Sequence, residues 1–254
     1  MGRIVGRWGW WFLAGLPLLS FLAIPVASIA VRALGVRGAA TPEFVQAVRL
    51  SFETSLISLV LIVALGTPLA FVTARFKFPF RWLANTLMDL PVVLPPAAAG
   101  IGLLLAFGRQ GYLPTSFGFT TAAVVIAQCF VASPFYLRAA TSAFSKFDQE
   151  VEESAALAGA GPLFLFFKIS LPLSSSALTS GAITSWARAL GEFGATILFA
   201  GNLVGKTQTM PLAIYLGFES DLDQSIGLSG ILLGTAFLAI VFLRILAERD
   251  AKRT

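Results

Sequence analysis

Apolar residues in this chain come in long unbroken runs, without the alternation of a half-buried strand. Six runs stand out, at residues 10–31, 52–73, 90–107, 121–137, 173–199 and 226–246. Each is near the ~20 residues a helix needs to cross the hydrocarbon of a bilayer. In lipid the backbone must satisfy its own hydrogen bonds, so such runs are expected as helices. A barrel of alternating strands does not produce them. The predicted architecture is an all-α membrane protein with six transmembrane helices, forming one domain over residues 1–254. The runs use most of the chain and leave no room for a soluble catalytic domain.

Composition sharpens this picture. Of 254 residues, 57% are hydrophobic and 12% charged, and the mean hydropathy is +0.83, far from the soluble range. Arg3 and Arg7 precede the first run, and Ser28-Ile29-Ala30 loosely resembles a cleavage site. The run is longer than the core of a signal peptide, so it reads as a retained helix. With the N-terminus inside and six crossings, twelve Lys and Arg residues fall inside, five outside, and Arg188 lies within a run. By the positive-inside rule both termini are expected in the cytoplasm. The net charge of +5 is then an anchoring asymmetry. No basic cluster interleaved with aromatics supports nucleic-acid binding; lipid is the expected surround. The single cysteine, Cys129, cannot form an intrachain disulfide and suits helix packing. With no histidine, neither a metal site nor haem or other cofactor chemistry is expected. No G-x-S-x-G motif is present either, so the chain is not expected to be an enzyme.

Local signals punctuate the runs. Thr41-Pro42-Glu43 reads as a helix start outside the membrane, with Thr as cap, Pro in the first turn and an acid at the positive helix end. Asp89-Leu90-Pro91 reads as a cap for the third membrane helix; the alternative is an intramembrane functional acid. Pro95-Pro96 must kink that helix, because each proline removes a donor and clashes with the preceding turn. Such a helix can line a gated pathway or simply pack. Gly108 to Tyr112 is a glycine-bearing loop without the features of a phosphate loop. Gly230 and Gly234 permit close helix contact.

The polar stretch of residues 145–172 separates the fourth and fifth runs. Acids at Asp148, Glu150, Glu152 and Glu153 suit a helix start, and Gly159 and Gly161 suit its end. Pro162 opens a second helix carrying Phe164, Phe166, Phe167 and Ile169. A helix-turn-helix with small residues beside bulky ones fits a docking surface for a partner. It also fits an amphipathic hairpin lying on the membrane. In the fifth run, Arg188 and Glu192 are four residues apart, share a helix face and can pair. Charge at membrane depth is costly and faces either a partner or a water-filled path. The pair is therefore part of a gate or a structural brace.

Two of these stretches carry a resemblance. Glu153-Ser154-Ala155-Ala156, then Gly159, and after nine residues Ile169-Ser170-Leu171-Pro172, resembles the signature of ATP-binding-cassette importer permeases of type I. Ser154 stands where that family has alanine. The resemblance implies that Glu153, Ala155, Ala156, Gly159, Phe164, Ile169, Leu171 and Pro172 form the surface gripped by the ATPase. Ala187-Arg188-Ala189-Leu190-Gly191-Glu192-Phe193-Gly194-Ala195-Thr196, followed by Thr207-Gln208-Thr209-Met210-Pro211-Leu212, looks like the molybdate/tungstate branch. Sulfate and thiosulfate permeases share the Gly-Glu-Phe-Gly-Ala core. The resemblance implies a homodimer in a bacterial inner membrane, working with cytoplasmic ATP-binding subunits and an extracytoplasmic oxyanion-binding protein. Arg188, Glu192, Thr196, Pro95 and Pro96 would then lie on the translocation pathway or its gate. An ATP-independent secondary anion transporter is the alternative from another class; midplane charges and broken helices suit it, but no inverted repeat appears.

Overall fold

A computed structural model describes residues 5–36, 41–109, 111–112, 116–146, 155 and 159–251, with backbone alone for 5–12 and 249–251. No strand occurs among the described residues. Helix α1 is Val5–Gly35, α2 Pro42–Arg75, α3 Arg81–Val93, α4 Pro96–Phe107 and α5 Thr121–Lys146. Then follow α6 Pro162–Leu173, α7 Ser175–Leu190, α8 Gly194–Phe199, α9 Met210–Ser220 and α10 Leu222–Ala251. Helices α1, α2, α5 and α10 are each long and apolar enough to cross a bilayer. The pairs α3/α4 and α6/α7 qualify only as bent units, at 119° and 70°. Counted as one span each, they bring the total to six.

The start of α2 forms as its sequence predicts. Thr41 Oγ1 accepts from the Phe44 amide at 3.2 Å, Pro42 sits in the first turn, and Glu43 lies at the positive end. At ~1.5 Å per residue this 34-residue helix is about 51 Å long. That exceeds the hydrocarbon thickness, so the helix either extends beyond it or tilts.

The centre of the bundle is α2, α5 and α7, joined by small and hydroxyl residues, as is usual where apolar lipid gives helices little other reason to associate. Ser58 Oγ donates to Gln128 Oε1 at 3.0 Å, and Thr67 bonds the Tyr136 hydroxyl at 2.6 Å. Ser185 Oγ donates to the Ala132 carbonyl at 2.9 Å, and Trp186 Nε1 to Ser55 Oγ at 3.0 Å. Gly181 lets α7 approach α5: a β-carbon there would lie 2.6 Å from Ala139 Cβ. Helix α1 lies outside and packs on α10.

Two predicted spans are each divided in the structure. The run 90–107 is two helices, not one kinked helix. Pro95 and Pro96 remove successive amide donors, and each proline pushes the residue before it out of the α region. Leu94 and Pro95 accordingly have ψ of 128° and 135°. Asp89 does not cap a membrane helix; it lies inside α3, which starts at Arg81. The run 173–199 is likewise divided, with α7 ending at Leu190 and α8 starting at Gly194.

Candidate functional site

The residues predicted to act lie in two places: the stretch before α7 and the break after it. In the first, Glu153 and Ala156 lie outside the described residues. Ala155 is described, and its carbonyl accepts from the Ala160 amide at 3.0 Å. Gly159 between them has φ +90°. A six-to-one bond spanning a left-handed glycine is the Schellman helix stop. Pro162 then opens α6 in its first turn.

Residues Leu165–Ser170 of α6 wind as a π-helix, which sequence reasoning did not anticipate. Pro172 supplies a physical reason: it has no amide to donate to the Lys168 carbonyl, and its ring would clash there in an α-helix. Phe166 and Phe167 stay in edge contact, with ring centroids 4.9 Å apart, but face different ways. Phe166 points inward onto Phe71 and Phe144, with ring centroids 4.9 and 6.4 Å away. Leu171 packs on the same core, and Ile169 is half-buried. Leu163, Phe164, Phe167 and Pro172 face outward. Of the predicted docking residues, Phe164 and Pro172 are thus exposed while Leu171 anchors the segment. Phe166, the other anchor, was recognised in sequence only as part of an apolar surface.

In the second place, Glu192 is 1% exposed and sits between α7 and α8. Its Oε1 accepts from the Ala195 amide at 2.8 Å, capping α8. Its Oε2 lies 2.7 Å from Arg188 Nη2, an ion contact rather than a well-angled hydrogen bond. The expected pair therefore forms, although Glu192 stands beyond the helix end and not on one continuous helix. Arg188 is 30% exposed and lines a cavity of ≈100 Å³ with Pro91, Pro96 and Ala99. Pro96 meets α8 directly, since a β-carbon on Gly194 would fall 2.5 Å from Pro96 Cβ. Gly100 makes the next contact: a β-carbon there would lie 2.9 Å from the Ala195 carbonyl. Thr196 is fully buried and its hydroxyl has no hydrogen-bond partner among the described residues. Pro95 caps the start of α4 and is exposed. Four of the five predicted pathway residues, Arg188, Glu192, Thr196 and Pro96, thus gather where the interruption between α7 and α8 meets the start of α4.

The segment after α8 is stapled to the bundle. Thr207 Oγ1 accepts from the Leu203 amide at 3.0 Å and donates to the Gly201 carbonyl at 3.3 Å. The Met210 amide donates to Ser51 Oγ at 2.7 Å, tying α9 to α2. Among the described residues no group of three or more Cys, Asp or Glu could hold a metal.

Residues 66–249 match the family described as binding-protein-dependent transport system inner membrane component. The molybdenum transport system permease protein ModB of Mycobacterium tuberculosis is 40% identical over 91% of this chain and 92% of its own length. The probable transport system permease protein NifC of Clostridium pasteurianum is 39% identical over 81% and 75%. The sulfate transport system permease protein CysW of Synechococcus elongatus is 31% identical over 95% and 90%. In fold, a chain of the crystal structure of a bacterial alginate ABC transporter, bound to its periplasmic protein, superposes with a TM-score of 0.75 at 16% identity, covering 99% of this chain and 97% of that one. With its long apolar helices and its two broken helix pairs, the chain belongs to the inner-membrane permease components of binding-protein-dependent, ATP-binding-cassette importers.

Proposed function

We propose that this chain is the membrane subunit of an importer for molybdate or tungstate. The observation that carries this reading is the 40% identity to a molybdenum permease across nearly the whole of both chains. Lower identity to a sulfate permease makes sulfate or thiosulfate the second reading. Two copies, each a single domain of residues 1–254, enclose the path. The chain carries no G-x-x-x-x-G-K-[ST] nucleotide loop. Energy therefore comes from ATP-binding partners in the cytoplasm, where both termini lie. They dock on Glu153, Ala155, Ala156, Gly159 and the outward face at Phe164 and Pro172; Ile169 and Leu171 hold that face to the bundle. An external oxyanion-binding protein delivers the cargo.

In this mechanism, closure of the ATPase pair moves the docking loops and swings the helices outward-open. Hydrolysis and product release reset the inward-facing form. A dianion cannot cross bare hydrocarbon, so its path must be polar or positive. The Arg188–Glu192 pair is internally neutralised, which suits a gate better than a tight binding site. Thr196, Pro95 and Pro96 shape the same junction.

The test is reconstitution in liposomes with the ATPase and the binding protein, measuring uptake of molybdate, tungstate and sulfate. ATP-dependent uptake of molybdate or tungstate in preference to sulfate is expected. A preference for sulfate would replace the cargo, and uptake without ATP would replace the mechanism by secondary transport. Arg188→Ala transporting normally in an assembled complex would remove the gate role.

A further inference from the structure

Helix α3 is held loosely. Among its residues only Pro91 is buried. Its cytoplasmic end is tied by Arg81 Nη2 to the Ala74 carbonyl at 3.4 Å. A second polar tie among the described residues is the bond from Arg138 Nε on α5 to Asp89 Oδ1, 2.5 Å long, between side chains that are each about half exposed. Asp89 lies five residues, about 8 Å, before the Leu94–Pro95 break. The far side of that break is α4, whose Pro96 touches Gly194 and whose cavity holds Arg188.

Arg138 sits on the other side of a chain of contacts. Six residues further along α5, Phe144 is fully buried against Phe71 and Phe166. Phe166 belongs to α6, next to the exposed face of Phe164 and Phe167. The Asp89–Arg138 bond thus stands between the docking segment and the broken α3/α4 pair.

The pair also has somewhere else to go. Beside it is a cavity of ≈340 Å³ lined by Asn85, Asp89, Arg138, Thr141 and Ser145, among others. Two polar atoms in that lining, Asn85 Oδ1 and Thr141 Oγ1, are buried without a hydrogen-bond partner among the described residues. Asn85 precedes Asp89 by four residues, so it lies on the same face of α3 one turn away. A shift of α3 by about 5.4 Å along α5 would bring Asn85 to the guanidinium in place of Asp89. Buried polar atoms are rarely left unpaired in a resting core. Here an orphaned acceptor lies one turn from an occupied one.

We infer that Arg138 and Asp89 form a latch: Arg138 bonds Asp89 in one state of transport and Asn85 in the other. The latch converts movement of the docking segment into a one-turn shift of α3 against the Pro95–Pro96 break. These are positioning residues; neither is assigned contact with the cargo. Coupling of this kind needs an element with two arrangements, and Asp89 and Asn85 supply the two acceptors.

The inference rests on the permease reading, and the experiment separates the two. The assembled complex in liposomes is assayed for molybdate uptake and ATP hydrolysis together. Asp89→Asn and Arg138→Gln are each expected to lower the anion moved per ATP by about tenfold while hydrolysis persists. The exchange Asp89→Arg with Arg138→Asp is expected to restore the ratio to within about threefold. Normal ratios in the single variants, or an exchange that assembles and restores nothing, overturn the latch. A wild-type complex that hydrolyses ATP without moving anion overturns the permease reading instead. Cross-linking gives a measure independent of transport. In a Cys129→Ala background, Asp89→Cys/Arg138→Cys should cross-link in one nucleotide state and Asn85→Cys/Arg138→Cys in the other. Cross-linking that does not change with nucleotide overturns the latch.

Discussion

Replacing Glu192 by alanine is the sharpest test of how the break between α7 and α8 is held. Two interactions are lost at once: the bond from the Ala195 amide at 2.8 Å and the contact with Arg188 Nη2 at 2.7 Å. Removing one partner of a buried ion pair costs ~3–5 kcal/mol, because the other charge stays behind uncompensated. Arg188 is 30% exposed and regains some solvation, which lowers that figure. The amide loses an acceptor that was charged, a bond worth roughly 1.5–3 kcal/mol. The terms overlap, so the expected net loss is about 3 kcal/mol. Glu192→Gln keeps the cap through its carbonyl oxygen and loses only charge, so about half that cost is expected. Arg188→Leu with Glu192→Gln removes both charges and should recover most of the loss, as buried pairs replaced by apolar groups often do. Reversible unfolding in mixed micelles by increasing sodium dodecyl sulfate measures all three, together with Arg188→Leu alone. Equal costs for Glu192→Ala and Glu192→Gln would refute the capping role. A double variant less stable than the sum of its single changes would refute the ion-pair reasoning.

Three further outcomes are expected. Gly194→Val should cost ~2–3 kcal/mol, since its β-carbon would fall 2.5 Å from Pro96 Cβ, whereas Gly234→Ala, with nothing within 4 Å, should be neutral; the same unfolding assay compares them. Gly159→Ala should destabilise the helix stop by about 1 kcal/mol from its φ of +90° alone, with Gly159→Asn milder, read as lower retention of the ATPase on co-purification. Phe166→Ala should destabilise the bundle by roughly 2–3 kcal/mol through its lost packing on Phe71 and Phe144, while Phe167→Ala, which is exposed, should leave stability nearly unchanged and weaken ATPase retention; unfolding and co-purification separate the two effects.

How much of this could be read along the chain depends on the range of the interaction. The Thr41 cap, the Gly159 stop and the Pro162 start are decided within a few residues, and the chain states them outright. The proline break was legible as a disturbance, but its 119° angle was not. Proline removes donors and restricts its predecessor; the new direction of α4 is set by what it packs on, namely Gly194, Ala195 and Leu198. The end of α7 at Leu190 was not read from the sequence. Gly191 and Gly194 stand at the interruption, but with Arg188 and Glu192 four residues apart the stretch also suited one unbroken helix, and only the packing against Pro96 shows which.

By itself, the sequence determined the class of the protein and its expected six spans, and it carried the signature that resembles the importer permeases. The first two follow from run length and composition and the last is a resemblance of short stretches, and each is local in the chain. Tertiary structure alone decided that Glu192 caps α8 while meeting Arg188, that Phe166 turns inward while Phe164 and Phe167 turn out, and that Asp89 bonds Arg138 rather than capping a helix. Asp89 and Arg138 are 49 residues apart. Nothing in either neighbourhood names the other, because a pairing across helices depends on which faces meet when the whole bundle packs.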